Sequence, residues 1–235
     1  MYRQDNDRPA VPVTMHALVL VVLGHLAARR RDYAGAGRLV DASRALLREL
    51  RDDDLTGFDR LQQQVALGTV DRVLGLVRLS QGDNDAAARL FTGGLTVARR
   101  AQDWNPLLIS LYDLALARQA QGDLAGAAGH LQEGLALAGQ AGDETSAAYY
   151  LEVLAGIAAQ QDNPQRVVRL FAAARSILDA RGSGWLHGFV PRVPDDDAVP
   201  AGLRSGMGDA AFEQAQAWGR SAGSKRAVEY ALEQA

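Results

Sequence analysis

The chain has 235 residues, 48% of them hydrophobic, with 25 basic and 28 acidic residues and a formal charge of -3. That length buries a substantial core in one or two domains, and the near-balanced charge argues against direct nucleic-acid binding, because no large positive field is left to hold a phosphate backbone. Cysteine is absent, which removes disulfides, thiolate catalysis and sulfur-ligated zinc and accords with a reducing compartment, the cytoplasm.

The first predicted element is the most apolar. Residues 17–28 read ALVLVVLGHLAA, a run shorter than the roughly 20 residues of a membrane span and closed by Arg29, Arg30 and Arg31. Asp5 and Asp7 spoil the basic leader of a signal peptide, and no small-residue cleavage site follows. A buried helix over 13–28 is therefore expected, and no membrane association. Its apolar character is so continuous that it needs cover on more than one side, from a homodimer partner or from a preceding domain in a parent protein.

Arg31-Asp32-Tyr33 then reads as a turn between two helical runs. Gln81-Gly82-Asp83-Asn84, Gln121-Gly122-Asp123-Leu124 and Gln161-Asp162-Asn163-Pro164 repeat it, the last three at intervals of forty residues. A small residue stands eight positions before the Asp or Asn of each turn: Gly24, Gly75, Ala115 and Ala155. Ala36, Ala87, Ala127 and Val167 follow each turn, and four residues later come Val40, Phe91, Leu131 and Phe171. Ser43, Gly94, Gly134 and Ala174 supply a second small position. Small residues where helices cross, with a large one a helical turn away, predict ridges packed into grooves between antiparallel helices. The expected architecture is all-α, an array of four hairpins over 10–181. An acidic linker at 51–57, expected to be exposed, sets off the first hairpin.

This pattern resembles tetratricopeptide repeats, with a period of forty rather than the family's usual length. The resemblance implies a solenoid of helix pairs whose first helices line a concave face. At the family's inward positions stand Leu18, Val21 and His25, then Thr69, Arg72 and Leu76, then Ile109, Tyr112 and Leu116, then Tyr149, Glu152 and Gly156. Of these, His25, Thr69, Arg72, Tyr112, Tyr149 and Glu152 are the candidate ligand-binding residues, a mixed lining suited to a small organic ligand or a partner helix. Tyr149 is preferred to its neighbour Tyr150, since adjacent residues on a helix point about 100° apart. Arg72 is the one cation at these positions, which disfavours the family's carboxylate-clamp adaptors.

The forty-residue variety resembles the sensor regions of large bacterial regulators that carry an ATP-binding switch and LuxR-type DNA-binding ends. The tail adds to the likeness, with Leu203-Arg204, Met207-Gly208-Asp209-Ala210-Ala211-Phe212, Ala215, Trp218-Gly219-Arg220, Ala227-Val228 and Ala231-Leu232. In the family pattern two residues separate the Trp from the Gly-Arg pair, whereas here the pair follows directly. Closing helices over 203–235 are expected to cap the array. Gly219 to Lys225 lacks the G-K-[ST] order of a phosphate loop and reads as a helix break, with Ser224 as N-cap.

Between array and tail, residues 182–200 read GSGWLHGFVPRVPDDDAVP, a stretch in which glycine and proline forbid a regular helix. Trp185 and its apolar neighbours are expected to fold back, as a cap over the last hairpin or as a lid that adds Trp185 to the ligand site. His16, His25, His130 and His187 fall on different elements without metal-ligand spacing, and no catalytic motif occurs. No catalytic residue, metal or cofactor is expected. The function that follows is a non-catalytic binding module, sensing a small effector or a protein partner. A scaffold for a multiprotein complex and an unusual enzyme using His25 or Glu152 as a base remain alternatives.

Overall fold

The computed structural model describes residues 10–50, 57–182 and 201–233. Among them the structure is entirely helical: α1 (Ala10–Arg29), α2 (Tyr33–Glu49), α3 (Gly57–Ser80), α4 (Asn84–Ala101), α5 (Trp104–Ala120), α6 (Leu124–Ala141), α7 (Glu144–Gln160), α8 (Pro164–Arg181), α9 (Ala201–Met207) and α10 (Asp209–Glu233). The chain divides into two compact units, Met1–Val97 and Ala98–Ala235, with the boundary inside α4. No helix of the described residues is long and apolar enough to cross a membrane.

One residue organises each turn twice over. The Asp32 N–H donates to the Ala27 carbonyl at 3.0 Å, closing α1, while the Asp32 carboxylate accepts the Gly35 N–H at 2.8 Å and caps α2. Asp83, Asp123, Asp143 and Asn163 repeat both roles, with N–H bonds to Arg78, Arg118, Ala138 and Ala158 and side chains accepting from Ala86, Gly126, Ser146 and Arg166. The residue before each must be left-handed, which Gly82, Gly122 and Gly142 supply and which Arg31 and Asp162 adopt at φ 63 and 54. The four expected hairpin turns are present. A second set joins consecutive hairpins at Asp103, which caps α5 through the Asn105 N–H, and at Asp143.

In the first unit, α1, α2 and α3 pack on one another around Ala17, Val21, Val40, Leu47, Ala66, Val70 and Val73. The small-to-large spacing is realised directly. A Cβ on Gly24 would lie 2.7 Å from Val40, and one on Gly75 would overlap the Phe91 ring. Ser43 sits at the second small position and donates to the Ala17 carbonyl at 2.8 Å, Gln63 donates to that of Leu47 at 3.0 Å, and Arg44 pairs with Asp71.

In the second unit, α5 to α8 pack in sequence and α10 returns along α8, with further contacts to α7 and α6. Leu108, Leu111, Leu131, Leu135, Leu151 and Leu170 are fully buried. Gly134 leaves room for the Tyr150 ring, which stands edge-on to Tyr112 with centroids 5.8 Å apart and donates its hydroxyl to the Leu108 carbonyl at 2.6 Å. α10 breaks at Gly223 (φ 66, ψ 169), within the segment expected to interrupt the tail helix.

Candidate functional site

The groove candidates fall three to each unit. His25 on α1 and Thr69 and Arg72 on α3 are half-buried in the first. In the second, Glu152 is half-buried, whereas Tyr112 and Tyr149 are only 1% and 2% exposed. The two tyrosines were expected on an open face and instead belong to the packed interior. Tyr150 is equally buried, so both members of the adjacent pair are enclosed. For Tyr149 the reason is that α7 packs against α6, α8 and α10, which leaves little of that helix open to solvent, and Tyr112 on α5 is enclosed edge-on against Tyr150 of α7. Burial in that interior holds the Tyr150 hydroxyl well above its ordinary pKa, with the nearby Asp113 charge adding to the effect. Trp185 and the linker at 51–56 lie outside the described residues.

A concave site lies elsewhere in the second unit, where α8, α9 and α10 meet. It is a cavity of about 790 Å³, within the ordinary range for small-ligand sites. Phe171, Arg175 and Asp179 come from α8 at a spacing of four, and Phe212, Gln216 and Arg220 come from α10 at the same spacing, so each helix offers one face. Arg204 on α9 completes the rim. Three arginines, one aspartate and two phenylalanines thus share the lining. Arg204 lies 4.6 Å over the Phe212 ring and is held by Asp209 at 3.2 Å and by Glu213. The Glu213 hydrogen bond is the main reason its pKa is raised. Arg175 and Arg220 are the other two arginines of the lining.

The tail reaches this position through close packing and stacked cations. A Cβ on Gly219 would lie 2.6 Å from both the Arg169 carbonyl and the Ala172 side chain, so only glycine lets α10 approach α8 this closely. Beside it the Trp218 and Tyr230 rings pack at a tilt of 55° with centroids 4.7 Å apart, and Arg169 lies over both rings at 5.3 and 5.5 Å. Arg166 is buried, reaches over Tyr230 and donates to the Ala231 carbonyl at 3.1 Å. Ser176 donates to the Arg220 carbonyl at 3.1 Å. The Trp218-Gly219 pair, noted in the sequence only as a resemblance, is therefore the docking point of the tail.

Among the described residues no group of His, Asp or Glu is placed to hold a metal ion. Sequence reasoning missed the pocket residues, although Phe171-Arg175-Asp179 and Phe212-Gln216-Arg220 each carry the helical spacing of four that marks one face. Comparison with known proteins finds no matching family model, no similar curated protein and no similar solved structure. Among the described residues the class is that of an all-helical protein whose helices pack mainly against their neighbours in sequence.

Proposed function

We propose that the chain is a non-catalytic, tetratricopeptide-like binding module that takes a small anion with an apolar body in the pocket between α8, α9 and α10. The observation that carries this reading is the placement of Arg175, Arg204 and Arg220 around Phe171 and Phe212 in one cavity. Guanidinium groups suit a carboxylate or phosphate, and the phenylalanines of the lining suit the apolar part of such a ligand. The pocket is built jointly by the last hairpin and by the tail, so a ligand there favours the docked tail over a released one. That coupling fits a sensor region, as the likeness of the tail to those of LuxR-type regulators suggests, with any switch domain supplied from outside the described residues.

Calorimetry with 4-phenylbutyrate and phenyl phosphate, against the uncharged 4-phenylbutanol, tests the reading. The anions are expected to bind and the alcohol to bind at least tenfold more weakly. Arg175→Ala and Arg220→Ala are expected to remove most of that difference. Equal binding of alcohol and anions, or no effect of either substitution, would overturn the proposal.

A further inference from the structure

α1 carries an exposed apolar stripe. Met15, Val19, Val22, Leu23 and Leu26 are each 44–55% exposed, while Thr14, Ala17, Val21 and Gly24 on the other side are buried. The repeat register shows what such a stripe is built for. Gly24 and Asp32 of the first hairpin correspond to Gly75 and Asp83 of the second, which aligns the stripe with Ala66, Val70, Val73, Leu74 and Val77 of α3. All five are at most 8% exposed, and the first four pack in one cluster with residues of α1 and α2. At the same register α7 buries Tyr150, Val153 and Leu154. The face that packs against helices in α3 and α7 is bare in α1.

We propose that this stripe is the interface with a second copy of the chain, the two α1 helices pairing antiparallel about a twofold axis. Met15, Val19, Val22 and Leu26 are spaced by four, three and four residues, the seam of paired helices. That spacing reads the same in both directions. An antiparallel partner therefore brings Met15 against Leu26 and Val19 against Val22, with each pair occurring twice, as a twofold interface requires. Residues 10–28 contain no Asp, Glu, Lys or Arg, and His16 and His25 are their only ionisable side chains, so the stripe offers no fixed charge to recognise a charged partner and two copies meet without charge repulsion near neutral pH. Opposed helix dipoles favour the same orientation. The stripe is smaller than the roughly 20–30 residues per side of a standard interface, and the pairing is accordingly weak, with a dissociation constant in the micromolar range or above.

Sedimentation equilibrium of the full chain across the micromolar to millimolar range tests this. A reversible monomer–dimer equilibrium is expected. Val19→Glu should weaken it at least tenfold with an unchanged circular dichroism spectrum, since the side chain is exposed. Val19→Glu with Val22→Lys in the same chain should restore pairing, because antiparallel helices place each Glu beside the partner's Lys. A strictly monomeric protein, a dimer indifferent to Val19→Glu, or a double variant no better than the single one would each overturn the proposal. None of these outcomes depends on whether the α8–α10 pocket binds anions.

Discussion

Replacing Gly134 by alanine tests the packing of the second unit at its tightest point. An alanine Cβ there would fall within 3.0 Å of the Tyr150 ring. The ring has nowhere to retreat, being fully buried, edge-on to Tyr112 and tethered to the Leu108 carbonyl. Overpacking of this kind costs about 1–3 kcal/mol, and loss of the tyrosine hydrogen bond adds about 0.5–1.5 kcal/mol. The better helix propensity of alanine returns about 1 kcal/mol, leaving a net loss of roughly 1–3 kcal/mol. Gly129 lies on the same helix with nothing within 4 Å of an added Cβ, so Gly129→Ala should stabilise by about 1 kcal/mol. For a chain of this size each kcal/mol moves the melting temperature by about 2–4 °C. Thermal unfolding followed by circular dichroism should show the two substitutions moving Tm in opposite directions. If Gly134→Ala raised Tm as much as Gly129→Ala, the packing argument would fail.

The left-handed turn residues supply a second comparison: Arg31→Gly should raise the urea midpoint by an amount equivalent to about 0.5–1 kcal/mol, since φ 63 disfavours a side chain, while Gly82→Ala and Gly122→Ala should lower it by about 1 kcal/mol. Equal and small effects at all three would contradict the turn geometry. Alkaline pH supplies a third. Burial raises the Tyr150 pKa in the folded chain above the ordinary 10.0, so the unfolded chain loses its proton first. The stability tied to that proton is complete below pH 10 and declines as the pH rises beyond it. Urea midpoints measured from pH 8 upward should fall more steeply above pH 10 for the native chain than for Tyr150→Phe.

The turns were legible in the sequence because their chemistry is local. A left-handed residue followed by Asp or Asn closes one helix and caps the next, and neither role needs the rest of the fold. Asp103 and Asp143, also forty residues apart, escaped notice because the turns before them read Ala-Gln and Ala-Gly rather than Gln-Gly. The small-to-large spacing was legible for a similar reason, since Gly24 with Val40 and Gly75 with Phe91 lie across single hairpins. The site was not. Whether Tyr112 and Tyr149 face solvent depends on what covers their helices, and the return of α10 along α8 and α7 could not be read from the periodicity of either. The pocket joins Phe171 to Phe212 and Arg175 to Arg220 across residues 183–200, a pairing that no local spacing encodes. The apolar excess of α1, by contrast, was plain from the run Ala17 to Leu23, but the helix was expected to be buried, whereas Met15, Val19, Val22, Leu23 and Leu26 are 44–55% exposed because α2 and α3 cover only its other side.

Hydrogen exchange of the α10 amides between residues 209 and 222, with and without 4-phenylbutyrate, tests most directly the claim that an anion in the pocket holds the tail to the last hairpin. At a hundredfold excess over its dissociation constant the ligand stabilises the docked state by about 2.7 kcal/mol. Exchange that proceeds through release of the tail should therefore slow by about a hundredfold, leave α1 to α3 unchanged, and return to the ligand-free rate in Arg175→Ala. Unchanged protection of these amides at saturation, or equal slowing throughout the chain, would contradict the account.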